Sequence, residues 1–391
     1  MRLITDEERR ARLAWRHFLS APASSVEEMA GGLVALHSTD PATVYLSAHA
    51  RIPTFSRDDL DRALYDERSL LRIVGMRRTL WVVPGGFAAT IHEACTRTHM
   101  TRERTRTARM VEEGGIAQDG ARWVRTAERK TLEALQEAGE ATGAELAKAV
   151  PELAEKITFY KRDGSVLTTV GMVTRMLFLL STEGKVIRTR PRGSWVSGMY
   201  RWTTMDAWLD GDLERLDPGR ARADLVGAWL RSFGPGTEID IAWWAGWTKA
   251  ATRRALADSG ATSVAVESGP AWVAPGDDGP LQALEGTVRF LPALDPTTMG
   301  WKERAWYLGD HEPDLFDRNG NAGPTVWIDG RVVGGWAQRK TGEVAWEVLT
   351  DIGRERRAEI AGRAAQLEAW LAGTVVSPRF RSPLHDKIRD Q

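Results

Sequence analysis

Three times along the chain, apolar residues recur at helical three- and four-residue spacing and then give way to two short β-rich runs. The shape repeats while the residues do not. In the first stretch, Thr5 and Glu8 read as a capping box opening a helix to about residue 19, and Ser24 with Glu27 repeat that signal. Met29, Leu33 and Leu36 continue an apolar face at helical spacing. Asp40-Pro41 starts a third helix, with Asp at the N-cap and Pro at the first helical position. Ser56 and Asp59 open a fourth, with Leu60 and Leu64 inward, and residues 70–76 and 79–83 form a hairpin, the wing.

The second stretch starts with Thr126 as N-cap and predicts helices over 127–138, 144–150 and 169–181, the last stopped at Gly184. Residues 186–190, a Pro-Arg-Gly-Ser turn and residues 195–202 make its hairpin. After an acidic stretch at 206–219, the third predicts helices over 220–233, 239–247 and 248–259, then a hairpin of 263–267 and 271–274. Beyond about residue 276 the texture changes to strands at 288–291, 325–328, 332–336 and 343–349, with Asp329-Gly330 as a tight turn. Residues 310–323 read as a long loop. A helix over 354–371 places Ile360, Ala364, Leu367 and Leu371 on one face, and the tail 377–391 reads as frayed or surface-bound. The expected fold is α+β: three tandem winged-helix units at 1–110, 111–210 and 211–278, then a C-terminal β-barrel-like domain, a small barrel or a sheet with a covering helix, at 279–391.

Length supports this division, since 391 residues exceed one ordinary core. The totals of 53 Lys+Arg and 53 Asp+Glu give zero net charge, so a nucleic-acid role depends on where the charges cluster. They do cluster. Lys185, Arg188, Arg190, Arg192 and Arg201 lie in the second hairpin with no acid among them, interleaved with Trp195, Tyr200 and Trp202. The alternative is a solvated wing whose rings pack on their own domain. Arg72, Arg77 and Arg78 mark the first wing, Arg175 the last helix of the second unit, and Lys249 and Arg253 the place of a recognition helix in the third. Arg102, Arg106 and Arg109 share a helical face that serves equally as a phosphate contact or a solvated surface. These clusters make double-stranded DNA the expected partner.

A single cysteine, Cys95, excludes an intramolecular disulfide and a cysteine-rich zinc site, and suits a reducing, cytoplasmic setting near the nucleoid. The first residues carry no apolar run of a signal peptide, and the apolar stretch 170–180 is broken by Arg175 and too short for a membrane. No metal site is expected: His92 and His99 lack a carboxylate partner at motif spacing. No Walker loop, dinucleotide fingerprint or nucleophile elbow is present, so no nucleotide cofactor is expected. Seventeen tryptophans suit a core, base stacking or a protein-interaction platform.

Residues 33–52, Leu-Val-Ala-Leu-His-Ser-Thr-Asp-Pro-Ala-Thr-Val-Tyr-Leu-Ser-Ala-His-Ala-Arg-Ile, resemble a signature of the AlkZ/YcaQ family of winged-helix DNA glycosylases. Residues 76–83, Met-Arg-Arg-Thr-Leu-Trp-Val-Val, resemble a second, which in that family often reads Met-Arg-Gly-Thr-Leu-His-Leu-Val. The resemblance covers nearly the whole chain. It implies three winged helices, a C-terminal barrel and hydrolytic excision of alkylated purines, N7-adducted or crosslinked, without a cofactor. The family's Gln-x-Gln catalytic motif falls on His37 and Thr39, followed by Asp40, so both glutamines are replaced. Histidine can orient water and accept a proton, an ionised aspartate can stabilise a cationic sugar, and Thr39 can place water. The plainer readings are a core histidine on the Met29–Leu36 face and an ordinary Asp40 N-cap. Two functions therefore compete: a glycosylase with His37, Thr39 and Asp40 at its centre, or a catalytically silent DNA-binding protein. Either acts as a monomer, since three tandem units can surround a duplex.

Overall fold

The structure, a computed structural model, describes residues 1–281 and 287–391. Three groups of helices are each followed by an antiparallel hairpin, and an open four-stranded sheet with helices completes the chain. In the first group, helices Asp6–Arg16, Val26–Gly32, Pro41–His49 and Arg57–Asp61 precede the hairpin of strands Leu70–Val74 and Leu80–Pro84. Thr5 caps the first helix by accepting from the Glu8 N–H. The second cap lies one residue beyond expectation: Ser25 accepts from Glu28 N–H, while the Ser24 N–H donates to the Glu28 carboxylate. Glu27 instead takes the Ser69 hydroxyl.

The apolar face of Met29, Leu33 and Leu36 is buried, but the helix does not run its length. It ends at Gly32, and Leu36–His37 is a short strand added to the hairpin, with Leu36 opposite Val82 and His37 opposite Trp81. The tight turn at Val34, with φ 64°, breaks the helical phase.

In the second group the long helix begins earlier than expected, at Gly120 rather than past Thr126, because Asp119 supplies the cap. Helices Gly143–Ala149 and Met172–Thr182 follow the sequence reading closely. Between them stands a hairpin the sequence did not announce, Lys156–Tyr160 paired with Val166–Gly171. Its side chains are largely exposed, so no inside–outside alternation marked it. Strands Val186–Pro191 and Tyr200–Thr204 form the second hairpin, joined by Ala141–Thr142. Trp195 lies in its turn rather than in a strand.

The third group comprises Pro218–Phe233, Glu238–Ala245 and Lys249–Asp258, then strands Thr262–Val266 and Gly269–Val273. The last sheet runs in chain order, Val288–Leu291, Thr325–Ile328, Arg331–Gln338 and Val344–Val348. Asp329 and Gly330, with φ 48° and 76°, make the left-handed turn their residue types favour. Among the described residues the first and last strands do not pair, so the expected barrel is corrected to an open sheet. Helix Gly353–Leu371 covers it through Ile360, Ala364, Leu367 and Leu371. The tail is not frayed: helix Pro383–Asp390, capped by Ser382, buries Leu384 and Ile388.

Tryptophan is chiefly core material here. Trp81, Trp229, Trp244, Trp301 and Trp327 are fully buried, and Trp229, Phe233, Trp244 and Trp301 pack ring to ring between the third group and the C-terminal region. A buried ion pair ties the first group to the same region: Arg51 donates to Asp295 at 2.7 and 2.9 Å, and Ser47 adds a further bond to that carboxylate.

Candidate functional site

A cleft of about 890 Å³ opens where the first two groups meet the tail. One wall is the segment Thr39, Asp40 and Pro41 together with the hairpin turn Arg78, Thr79 and Leu80. The facing wall is apolar: Val173, Leu177 and Phe178 project from the helix Met172–Thr182. The second hairpin lays Arg188, Arg192, Met199, Tyr200 and Trp202 along the cleft, and the tail contributes Ser377 and Arg379. Among the described residues that line it are four arginines and one carboxylate, Asp40.

Asp40 is held by the fold. As N-cap of Pro41–His49, its Oδ1 accepts from Ala42 N–H at 3.1 Å, and its Oδ2 accepts from Arg379 N–H at 2.9 Å. Burial raises its pKa above the ordinary aspartate value, against the two backbone donors and the nearby Arg379 charge. Thr39 lies beside it, its backbone oxygen accepting from the Arg379 guanidinium at 3.2 Å.

His37 sits behind this wall. It is 4% exposed, absent from the cleft lining, and edge-on to Trp81 with centroids 4.7 Å apart. Its Nδ1 accepts from Thr39 N–H at 3.4 Å, which leaves the ring proton on Nε2. Burial first, then the Arg77 charge, push its pKa down to about 3, so the ring is neutral near pH 7. His37 and Trp81 are register partners across one ladder.

The other expected DNA contacts separate into three sets. Arg78, Arg188 and Arg192 line the cleft. Arg72 and Arg175, read from sequence as DNA contacts, are placed inside the protein. Arg72 donates to Ser38 at 2.9 Å and Tyr65 at 2.6 Å, and Arg175 pairs with Glu103 at 2.7 Å. Trp195 is likewise turned inward, against Tyr45, Trp370 and Arg57. The remainder lie outside the cleft. Arg77 stacks on Trp243, Lys185 pairs with Glu183 and Glu128, and Arg190 pairs with Asp61 and Asp66. Arg201 pairs with Glu140, Arg253 with Glu238, and Lys249 is exposed. Sequence reasoning missed the apolar wall, whose stretch 170–180 was weighed there only as too short for a membrane, and Arg379, whose tail gave no periodic signal.

Among the described residues no group of His, Cys, Asp and Glu is placed to hold a metal ion, and no helix is long and apolar enough to cross a membrane.

No curated protein matches the chain. The solved structure of Streptomyces sahachiroi DNA glycosylase AlkZ is similar in fold, with a TM-score of 0.70 at 21% identity, covering 94% of this chain and 98% of that one. The family model for DNA glycosylase AlkZ-like proteins matches residues 30–370, nearly the whole chain, which includes both walls of the cleft up to the tail. The chain belongs to the AlkZ-like DNA glycosylase family.

Proposed function

We propose that this protein hydrolyses the N-glycosidic bond of alkylated purines, N7-adducted or crosslinked, in double-stranded DNA. One observation carries the reading: Asp40 presents the cleft's carboxylate, beside Thr39, in a lining otherwise charged by four arginines. N7-alkylation makes the purine cationic and a good leaving group. The C1′–N9 bond breaks with its electron pair going to the base, leaving an oxocarbenium-like sugar. Asp40 stabilises that cation and takes a proton from the water that attacks C1′, giving free base and an abasic sugar. A carboxylate whose pKa is raised accepts that proton more readily. The Thr39 hydroxyl orients the water, and His37 acts as a positioning residue through the Thr39 N–H. This hydrolysis requires no cofactor.

The three helix–hairpin groups are read as tandem winged-helix units over 1–110, 111–210 and 211–278, followed by the sheet unit at 279–391. They act as a monomer around a duplex in the cytoplasm, at the nucleoid. Exposed Arg192, Lys249 and Arg253 add phosphate contacts. The placement of His37 outside the cleft favours one competing reading, a silent DNA-binding protein that regulates or recognises damage.

Base release from duplexes carrying N7-methylguanine or one bulky N7-alkyl adduct separates the two. Release by the wild type that falls at least about a hundredfold in Asp40→Asn, with duplex affinity kept, is the expected result. No release from either substrate, with tight salt-sensitive binding, assigns the silent role.

A further inference from the structure

Tyr200, Trp202 and Arg188 share one face of the second hairpin. Tyr200 and Trp202 are two residues apart on one strand, Arg188 is the register partner of Trp202, and its guanidinium lies 4.2 Å from the Trp202 ring. That face turns into the cleft. Two features there are left unpaired. Burial lowers the Arg188 pKa to about 10, the neighbouring Tyr200 works against that shift, and the two cations Arg72 and Arg379 add to it. The Tyr200 hydroxyl is buried, on a residue 9% exposed, and has no hydrogen-bond partner. Arg72, 4.7 Å from the Tyr200 ring, donates through Nε to Ser38 and through Nη1 to Tyr65, and as a donor alone it offers the Tyr200 O–H no acceptor.

A guanidinium without a carboxylate partner, a second within its electrostatic reach, and a buried hydroxyl without an acceptor together call for an anion rich in acceptor oxygens. Asp40 lies within electrostatic reach of Tyr200 but is bonded to the Ala42 and Arg379 N–H groups. We propose that Arg188, Arg379 and the Tyr200 hydroxyl form a notch for one phosphodiester flanking the lesion nucleotide, and so seat its sugar against Asp40. This rests on the DNA reading above and adds to it a particular phosphate and a hydroxyl reserved for that phosphate. General basic attraction would treat all phosphates alike, whereas a notch singles out one.

The test measures binding of the full-length protein to a duplex with one tetrahydrofuran abasic analogue. Single phosphates, flanking the analogue or remote from it, are replaced in turn by neutral methylphosphonate. One flanking position is expected to lose about tenfold in affinity, several times the loss at remote positions. Tyr200→Phe, checked for fold by near-UV circular dichroism, is expected to shrink that penalty, because the bond it reports is already gone. Equal penalties at every position, or a flanking penalty undiminished in both Tyr200→Phe and Arg188→Gln, overturns the notch. The methylphosphonate series on the unaltered protein reads the notch without any mutation. Loss of all salt-sensitive duplex binding would instead overturn the DNA reading itself.

Discussion

Arg379 closes over Asp40 from 339 positions away in the chain: its N–H donates to Asp40 Oδ2 at 2.9 Å, and its guanidinium reaches the Thr39 carbonyl at 3.2 Å. The tail thus fixes the carboxylate with its backbone and adds positive charge with its side chain. Arg379→Ala keeps the first contact and removes the second. Because the side chain is exposed, the melting temperature is expected to stay within about 2 °C of wild type. Base release under single-turnover conditions is expected to slow about tenfold. An unchanged rate would remove Arg379 from the site.

Asp40 has its pKa raised by burial, so its ionised form is disfavoured in the fold. If that form takes the proton from water, the rate of base release falls as pH drops through a midpoint above the ordinary aspartate value. A pH–rate profile locates that limb, and Asp40→Asn should erase it along with most of the activity. The same shift predicts that Asp40 does not contribute to acid unfolding, since its protonation is favoured more in the folded than in the unfolded chain.

His37 contributes with the opposite sign. Its folded pKa is about 3, against an ordinary 6.5, and His17, buried against Phe233 and Trp301, shows the same depression. Between those values the unfolded chain binds protons that the folded chain refuses, so stability falls as pH is lowered. Each histidine should cost on the order of 1–2 kcal/mol between pH 6.5 and 5. Urea titrations at pH 7 and 5 should show the loss, and His37→Phe should remove its share. An equal loss in that variant would mean that His37 titrates normally.

How far the sequence could be read depended on whether a signal was local. The Asp40 cap, the Ser56–Asp59 capping box and the Asp329-Gly330 turn were legible because their partners lie within a few residues. The burial of His37 was legible from the apolar run, but its place on a strand was not, since the turn at Val34 erases helical phase. Charge was the weakest guide. Arg72, Arg175 and Arg188 look alike in sequence, yet the first two meet Ser38, Tyr65 and Glu103, while Arg188 faces the cleft without a carboxylate partner among the described residues. Arg379 was invisible because only the folded tail brings it to Asp40.

Arg78 joins backbone strain to charge in one residue. It stands where the resembling signature often has glycine, at φ 59°, directly after Arg77 at φ 53°. A side chain in the left-handed region costs about 1 kcal/mol that glycine does not. What offsets that cost is its ion pair with the buried Glu103 and its place in the cleft lining. Arg78→Gly relieves the strain and gives up one charge, while Glu103 keeps Arg175 at 2.7 Å and is not left unpaired. The two effects therefore separate by measurement. Thermal stability is expected to change by less than about 1 kcal/mol in either direction. Duplex affinity is expected to fall, with the slope of log affinity against log salt reduced by about 0.9, the share of one phosphate contact. An unchanged salt slope would show that Arg78 serves the hairpin and Glu103 alone, and the cleft's positive charge would then rest on Arg188, Arg192 and Arg379.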